Sequence, residues 1–115
     1  ALAAATGGTG NCWMELFTYT GTGTCGVGNP TRVQFSHLPE VFFIGGGRAL
    51  MMGRGGVNKM MLLARDSISS NTFFNDEEHS WSGNQLSMVN TVDARYQMNG
   101  ANITYWVLGL QRTDK

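Results

Sequence analysis

The sequence predicts an all-β fold, a small antiparallel β-sandwich of about six to eight strands. Three observations lead there. Short runs of aromatic and β-favouring residues alternate with Gly/Asn/Pro clusters at intervals of roughly 8–12 residues, the spacing of sandwiches and barrels. Gly supplies 16 of 115 residues, about twice the usual share of roughly 7%. Hairpin signals occur at Gly83-Asn84 and Asn99-Gly100, and Asn-Gly is the strongest short one.

Residues 1–10 (ALAAATGGTG) are small and carry no periodic apolar face. They read as a linker or stalk remnant, or equally as a frayed terminus, because any helix at Ala1–Ala5 is too short to stand alone. Residues 11–115 form the domain. Cys12–Thr20 is the first strand, rich in aromatic and β-favouring residues. Gly21–Pro30 holds four glycines and Asn29-Pro30, which deny it regular helix. Arg32–Phe35 follows, with Val33 and Phe35 on one face. Pro39 cannot donate to a ladder, so the next strand, Glu40–Ile44, begins after it. Gly45–Gly47 turns the chain into Ala49–Met52. Lys59–Arg65 could be a helical turn by propensity, but its length of seven and its neighbours favour a strand. Ser67–Asn75 is polar around Phe73 and Phe74. His79–Ser82 and Gln85–Val89 pair across Gly83-Asn84. Ala94–Met98 and Ile103–Leu110 close the domain, joined by Asn99–Asn102.

Three runs are apolar on both strand faces: Val41–Ile44, Met60–Leu63 and Tyr105–Leu108. A sandwich strand ordinarily buries one face and wets the other. A second surface must therefore cover them, either loops of the same chain or, as preferred here, further copies in a homo-oligomer. Phe42, Tyr105, Trp106 and Leu108 are the residues expected in the core or the subunit interface.

Charge narrows the function. Charged residues make up 14% of the chain and cancel to zero, against about 25% in a typical domain. No basic stripe for nucleic acid exists. No apolar run approaches the ~20 residues of a membrane span, and no signal-peptide pattern opens the chain. A neutral surface is compatible with self-association.

Chemical motifs are sparse. Gly21, Gly23 and Gly26 spell a dinucleotide fingerprint, but no helix can start after them, as that site requires. Cys12, Cys25, His37 and His79 lack the close paired spacing of a zinc site. Asp76-Glu77-Glu78 reads as a solvated loop rather than a calcium site. No carboxylate pair or nucleophile–base set is brought together by the sequence, so no catalysis and no cofactor is expected.

One resemblance extends over Phe17–Leu110. Its residues are Thr18-Tyr19-Thr20-Gly21-Thr22-Gly23-Thr24, then Gly26, Asn29-Pro30, Val33-Gln34-Phe35 and Leu38-Pro39-Glu40-Val41. They continue with Trp81–Asn84, Asp93–Asn99 and Thr104–Gly109. This order resembles a module at the C-terminal ends of tail-fibre and receptor-binding proteins of phages and prophages of Gram-positive bacteria. More distantly, it is similar to the H-type lectins, six-stranded sandwiches that trimerise and bind carbohydrate. Cys25, where an aromatic residue is common, and the Gly/Met/Arg-rich segment Gly45–Asn58 depart from the pattern. The resemblance implies a homotrimer at a fibre tip on the virion, attached to bacterial surface carbohydrate or cell-wall polymer. It supplies no residue-level sugar site. A Cys12–Cys25 disulfide is conceivable if their strands lie side by side, but assembly of such proteins in a reducing cytoplasm favours free, buried thiols.

Sugar sites commonly join an aromatic face to Asn, Asp, Arg or His hydrogen-bonding groups. Two stretches offer that mixture. Phe73–Asn84 contains Asp76, His79, Trp81 and Asn84, and the loop Arg48–Asn58 contains Arg48, Arg54 and Asn58. The competing reading places Trp81 in the core and leaves these loops as connections. A structural trimerisation or capping module, and a secreted lectin unconnected with phage, are the alternative functions.

Overall fold

The computed structural model describes residues 12–47, 49–65, 72–90 and 97–112. They form nine strands and no helix: β1 (Cys12–Thr20), β2 (Thr31–Gln34), β3 (Val41–Gly46), β4 (Ala49–Gly53), β5 (Lys59–Arg65), β6 (Thr72–Glu78), β7 (Ser80–Ser82), β8 (Gln85–Met88) and β9 (Thr104–Arg112). Two antiparallel sheets result. The larger has the order β1-β9-β3-β4-β5-β6 and the smaller β2-β8-β7.

The all-β prediction and the two-sheet arrangement hold, with three corrections. Thr72–Glu78, expected as a polar segment running into a solvated acidic loop, is a strand paired with β5 over its full length, from Lys59↔Glu78 to Arg65↔Thr72. It carries the described strand number past the six to eight expected. The last strand does not pair with residues 97 and 98, which are not strand. It pairs with β1 (Leu108↔Leu16) and β3 (Leu108↔Phe43) instead. The turn before it runs from Gly100 to Ile103, whose amide donates to the Gly100 carbonyl at 3.1 Å, with the positive φ at Asn102 rather than at Asn99 or Gly100. The thiols are free as expected, but Cys12 is exposed and Cys25 only half-buried. Residues 1–10, Arg48 and Ala94–Tyr96 lie outside the described residues.

Alternation sorts each strand into an inner and an outer face. On β9, Tyr105 and Val107 are buried while Trp106 faces out; on β3, Phe42 and Ile44 are buried while Val41 and Phe43 are half-exposed. The smaller sheet sends Val33, Leu86 and Met88 into the same core, where they join Phe42, Ile44, Met51, Tyr105 and Val107. Phe35 knits the layers together. Its ring lies 5.7 Å from Phe17, 5.8 Å from Phe42 and 5.9 Å from Trp81. Aromatic pairs in this range add roughly 0.5–1.5 kcal/mol each beyond burial.

Gly21 shows why the Gly-rich loop needs its composition. Its amide donates to the Ile103 carbonyl at 2.8 Å, and its carbonyl accepts from Asn102 at 3.0 Å. A Cβ there would strike the Gly100 carbonyl, so the clasp between the two loops requires Gly.

Phe42 is fully buried between the sheets. Phe42→Ala is expected to cost about 3–5 kcal/mol, read as a lower urea midpoint with an unchanged slope. A loss below about 1 kcal/mol would mean the two sheets do not share this core.

Candidate functional site

The outer face of the larger sheet carries an unusual row. Register places Leu16, Leu108, Phe43, Met52 and Met61 side by side across five successive strands, β1-β9-β3-β4-β5. At about 4.8 Å per strand, the row spans roughly 19 Å. Met14, Leu110 and Val41 form a second row beside it, and Trp106 and Leu50 flank it on the other side with Gly45 between them. Met14 is 65% exposed, Leu16 59%, Trp106 57%, Met61 43% and Leu50 40%. These five alone leave roughly 500 Å² of apolar surface in water, near the upper end for the largest patch on an ordinary monomer.

Two shallow clefts are cut into this face, of about 410 and 310 Å³, and both include Val41, Phe43 and Arg54. Charges gather at their rim. Glu40 accepts from the Arg112 backbone amide at 2.6 Å and pairs with its guanidinium at 2.8 Å. Arg54 Nε donates to the Glu40 carbonyl at 2.6 Å, and Lys59 lines the smaller cleft. The exposed Glu40–Arg112 pair is worth under about 1 kcal/mol, so it orients the rim more than it stabilises the fold. An apolar floor inside a charged rim is the anatomy of a protein–protein interface.

The predicted sugar-binding residues divide. Asn58, His79 and Trp81 do come together, but through the backbone: the His79 amide donates to the Asn58 carbonyl at 2.7 Å, and the Trp81 indole donates to the Val57 carbonyl at 3.0 Å. Trp81 lies against Phe35 and Phe42, so its ring serves the core more than the surface. Asn84 occupies the β7–β8 turn, its side chain donating to the Ser36 carbonyl at 3.3 Å. Asp76 stands on β6 opposite Met61; its side chain, like Arg48, lies outside the described residues. Arg54 lines both clefts of the outer face, and its backbone joins the Asn58–Trp81 group, its carbonyl accepting from the Val57 amide at 3.2 Å. Among the oligomer and core candidates, Phe42 and Tyr105 are core, while Trp106 is exposed and Leu108 half-buried.

A polar pocket that sequence reasoning missed lies beside the Gly-rich loop. Tyr19, Thr20, Thr22, Thr24, Thr31 and Arg32 contribute to a cleft of about 250 Å³. Asn99, nearly buried, holds one wall. Its Oδ1 accepts from the Thr22 amide at 3.0 Å, and its Nδ2 donates to Thr22 Oγ1 at 2.7 Å and to the Thr24 carbonyl at 3.1 Å. Asn90 repeats the device, donating to Thr31 Oγ1 at 2.8 Å and accepting from the Met98 amide at 2.8 Å. Tyr19 stacks on Tyr105 at 5.0 Å and donates to the Met98 carbonyl at 2.7 Å. Burial, reinforced by Tyr105 beside it, holds the Tyr19 phenol well above its ordinary pKa, so it remains a donor. The available signal was the cluster of threonines around Gly21 and Gly23.

No group of three or more metal-ligating side chains occurs among the described residues. Comparison with protein-family models, curated proteins and solved structures finds no match to this chain.

His79 generates a pH prediction. It is buried, neither ring nitrogen has a hydrogen-bond partner among the described residues, and burial lowers its pKa from 6.5 to about 4. The unfolded chain therefore takes up a proton before the folded one does. His79 imposes no charge penalty above pH 6.5; the penalty accumulates as pH falls and levels off below about 4, reaching a few kcal/mol. Thermal melts from pH 8 to pH 4.5 should show a falling midpoint, and His79→Leu should flatten much of that fall. An equally steep fall in the variant would place the titration elsewhere.

Proposed function

We propose that this chain is a non-enzymatic, homotrimeric head domain of a phage-type tail fibre or receptor-binding protein. It attaches to bacterial surface glycans by multivalent contact and acts extracellularly as part of a virion. The observation that carries the assembly half is the five-strand apolar row with its flanking Trp106 and Met14. Its exposed members and the half-buried Leu108, Phe43, Met52 and Leu110 on the same face make one continuous apolar surface across five strands, the kind of face that a standard interface of roughly 800 Å² per partner covers. Low charge across the chain supports the same reading, since buried charges are costly. Adhesion rests on the resemblance over Phe17–Leu110 and on the hydroxyl-rich cleft at the Gly-rich loop. Three weak sites on one trimer gain by effective concentration what each lacks in affinity.

A structural trimerisation or capping module is the second reading. It is favoured by the half-buried ring of Trp81, which packs against Phe35 and Phe42 as the core reading of that residue has it. Binding to host cells or isolated wall glycans separates the two readings: a folded trimer that binds neither is a cap.

Sedimentation velocity at micromolar concentration should give a trimer. Because Trp106 is largely exposed in the single chain, Trp106→Asp should yield a folded monomer, with its circular dichroism unchanged. A wild-type chain that sediments as a monomer, or a Trp106→Asp variant that still sediments as a trimer, contradicts assembly through this face.

A further inference from the structure

The cleft beside the Gly-rich loop gathers hydroxyls that the fold already fixes: Asn99 Nδ2 donates to Thr22 Oγ1 at 2.7 Å and to Thr24 Oγ1 at 3.2 Å, and Asn90 Nδ2 to Thr31 Oγ1 at 2.8 Å. Thr20, Thr22 and Thr24 are all exposed there, and Thr31 is half-buried across from them. Each threonine offers a hydroxyl and a methyl, which match the alternating polar and apolar surface of a polyol. Asn99 and Asn90 hold this wall by the side-chain hydrogen bonds described above, so little ordering remains to be done on binding. Arg32 stands at the same cleft, exposed on β2. No hydrogen bond or ion pair engages its side chain among the described residues. Among the described residues it is the one charged side chain lining the cleft.

A guanidinium without a partner among the described residues, set beside fixed hydroxyls, is suited to an anionic group carried on a polyhydroxylated chain. Carboxylates and phosphates both take bidentate hydrogen bonds from Arg. The volume, about 250 Å³, lies below the ~300–1,000 Å³ of sites that engulf a drug-sized molecule. It accommodates one saccharide or polyol unit of a longer polymer, with the chain leaving through the open side.

We infer that this cleft is the glycan subsite and that its ligand is an anionic unit, a uronate or a polyol phosphate, whose charge is held by Arg32. This deepens the adhesin reading and rests on it.

Titration of the full 115-residue chain with poly(glycerol phosphate), with polygalacturonate and with neutral dextran tests it. At least one polyanion should bind, and more tightly than dextran. The polymer bound distinguishes phosphate from carboxylate. Arg32→Gln should weaken that binding at least tenfold while leaving the melting temperature and the sedimentation coefficient unchanged. Thr20→Val should weaken it several-fold, and decides the matter if Arg32→Gln fails to fold. Undiminished polyanion binding by both variants, or binding of dextran alone, overturns the inference and leaves the adhesin reading standing. No binding to any of the three polymers or to isolated wall glycans overturns both.

Discussion

A three-stranded sheet can cover only one face of a six-stranded one, and the rest of this molecule follows from that constraint. The inner face of the larger sheet is buried under β2, β8 and β7 through Val33, Leu86 and Met88. Its outer face is nearly as apolar, because β9 and β3 carry large hydrophobic residues at successive positions, Tyr105-Trp106-Val107-Leu108 and Val41-Phe42-Phe43-Ile44. Strand geometry sends alternate members of each run to opposite faces. Burying the inner set therefore exposes the outer set, and no register shift relieves the conflict, since a slip only exchanges the two. Association with further copies, as proposed above, would resolve it.

The polar end of the domain obeys a different logic. There the loops Gly21–Pro30 and Gly100–Ile103 meet over the end of the β1–β9 pair. Their backbone groups would be orphaned without the clasp at Gly21 and the side chains of Asn90 and Asn99. Buried amides satisfied on every side position loops closely, because each missing bond would cost about 1–3 kcal/mol. The stacked Tyr19 and Tyr105 lie beneath, and the Tyr105 hydroxyl accepts from the Gly100 amide at 2.8 Å. A hydroxyl-lined cleft with a fixed wall results, at the opposite end of β1 from the Met14 side of the apolar face.

Much of this was legible in the chain. Strand positions followed from alternation and from Gly and Pro punctuation, and β5 has the predicted bounds. β6 was hidden because Asn75-Asp76-Glu77-Glu78 has low β propensity; pairing along β5 overrides it, as sheet context commonly does. The partner of β9 was hidden for another reason. Asn99-Gly100 is a local hairpin signal, whereas β1 lies some ninety residues away and leaves no local trace. The outer row was half legible. The two-faced runs on β3, β5 and β9 were visible, but Met14 and Leu16 in β1 only become part of the row once register is known. Residue type left Trp81 open as a sugar platform or as core, and its half-buried ring packs against Phe35 and Phe42. The threonine cleft depends on Asn99 and Asn90 reaching loops some sixty to eighty residues away, which no spacing rule encodes.

The central claim, that the outer face of the larger sheet is covered by other copies, is tested most directly by hydroxyl-radical footprinting read by mass spectrometry. Met14, Met61 and Trp106 are reactive residue types that stand on this face. As concentration rises from nanomolar to tens of micromolar, their oxidation should fall several-fold together, while that of exposed Val27 in the Gly-rich loop stays constant. Oxidation that matches single-chain exposure at every concentration would contradict the account.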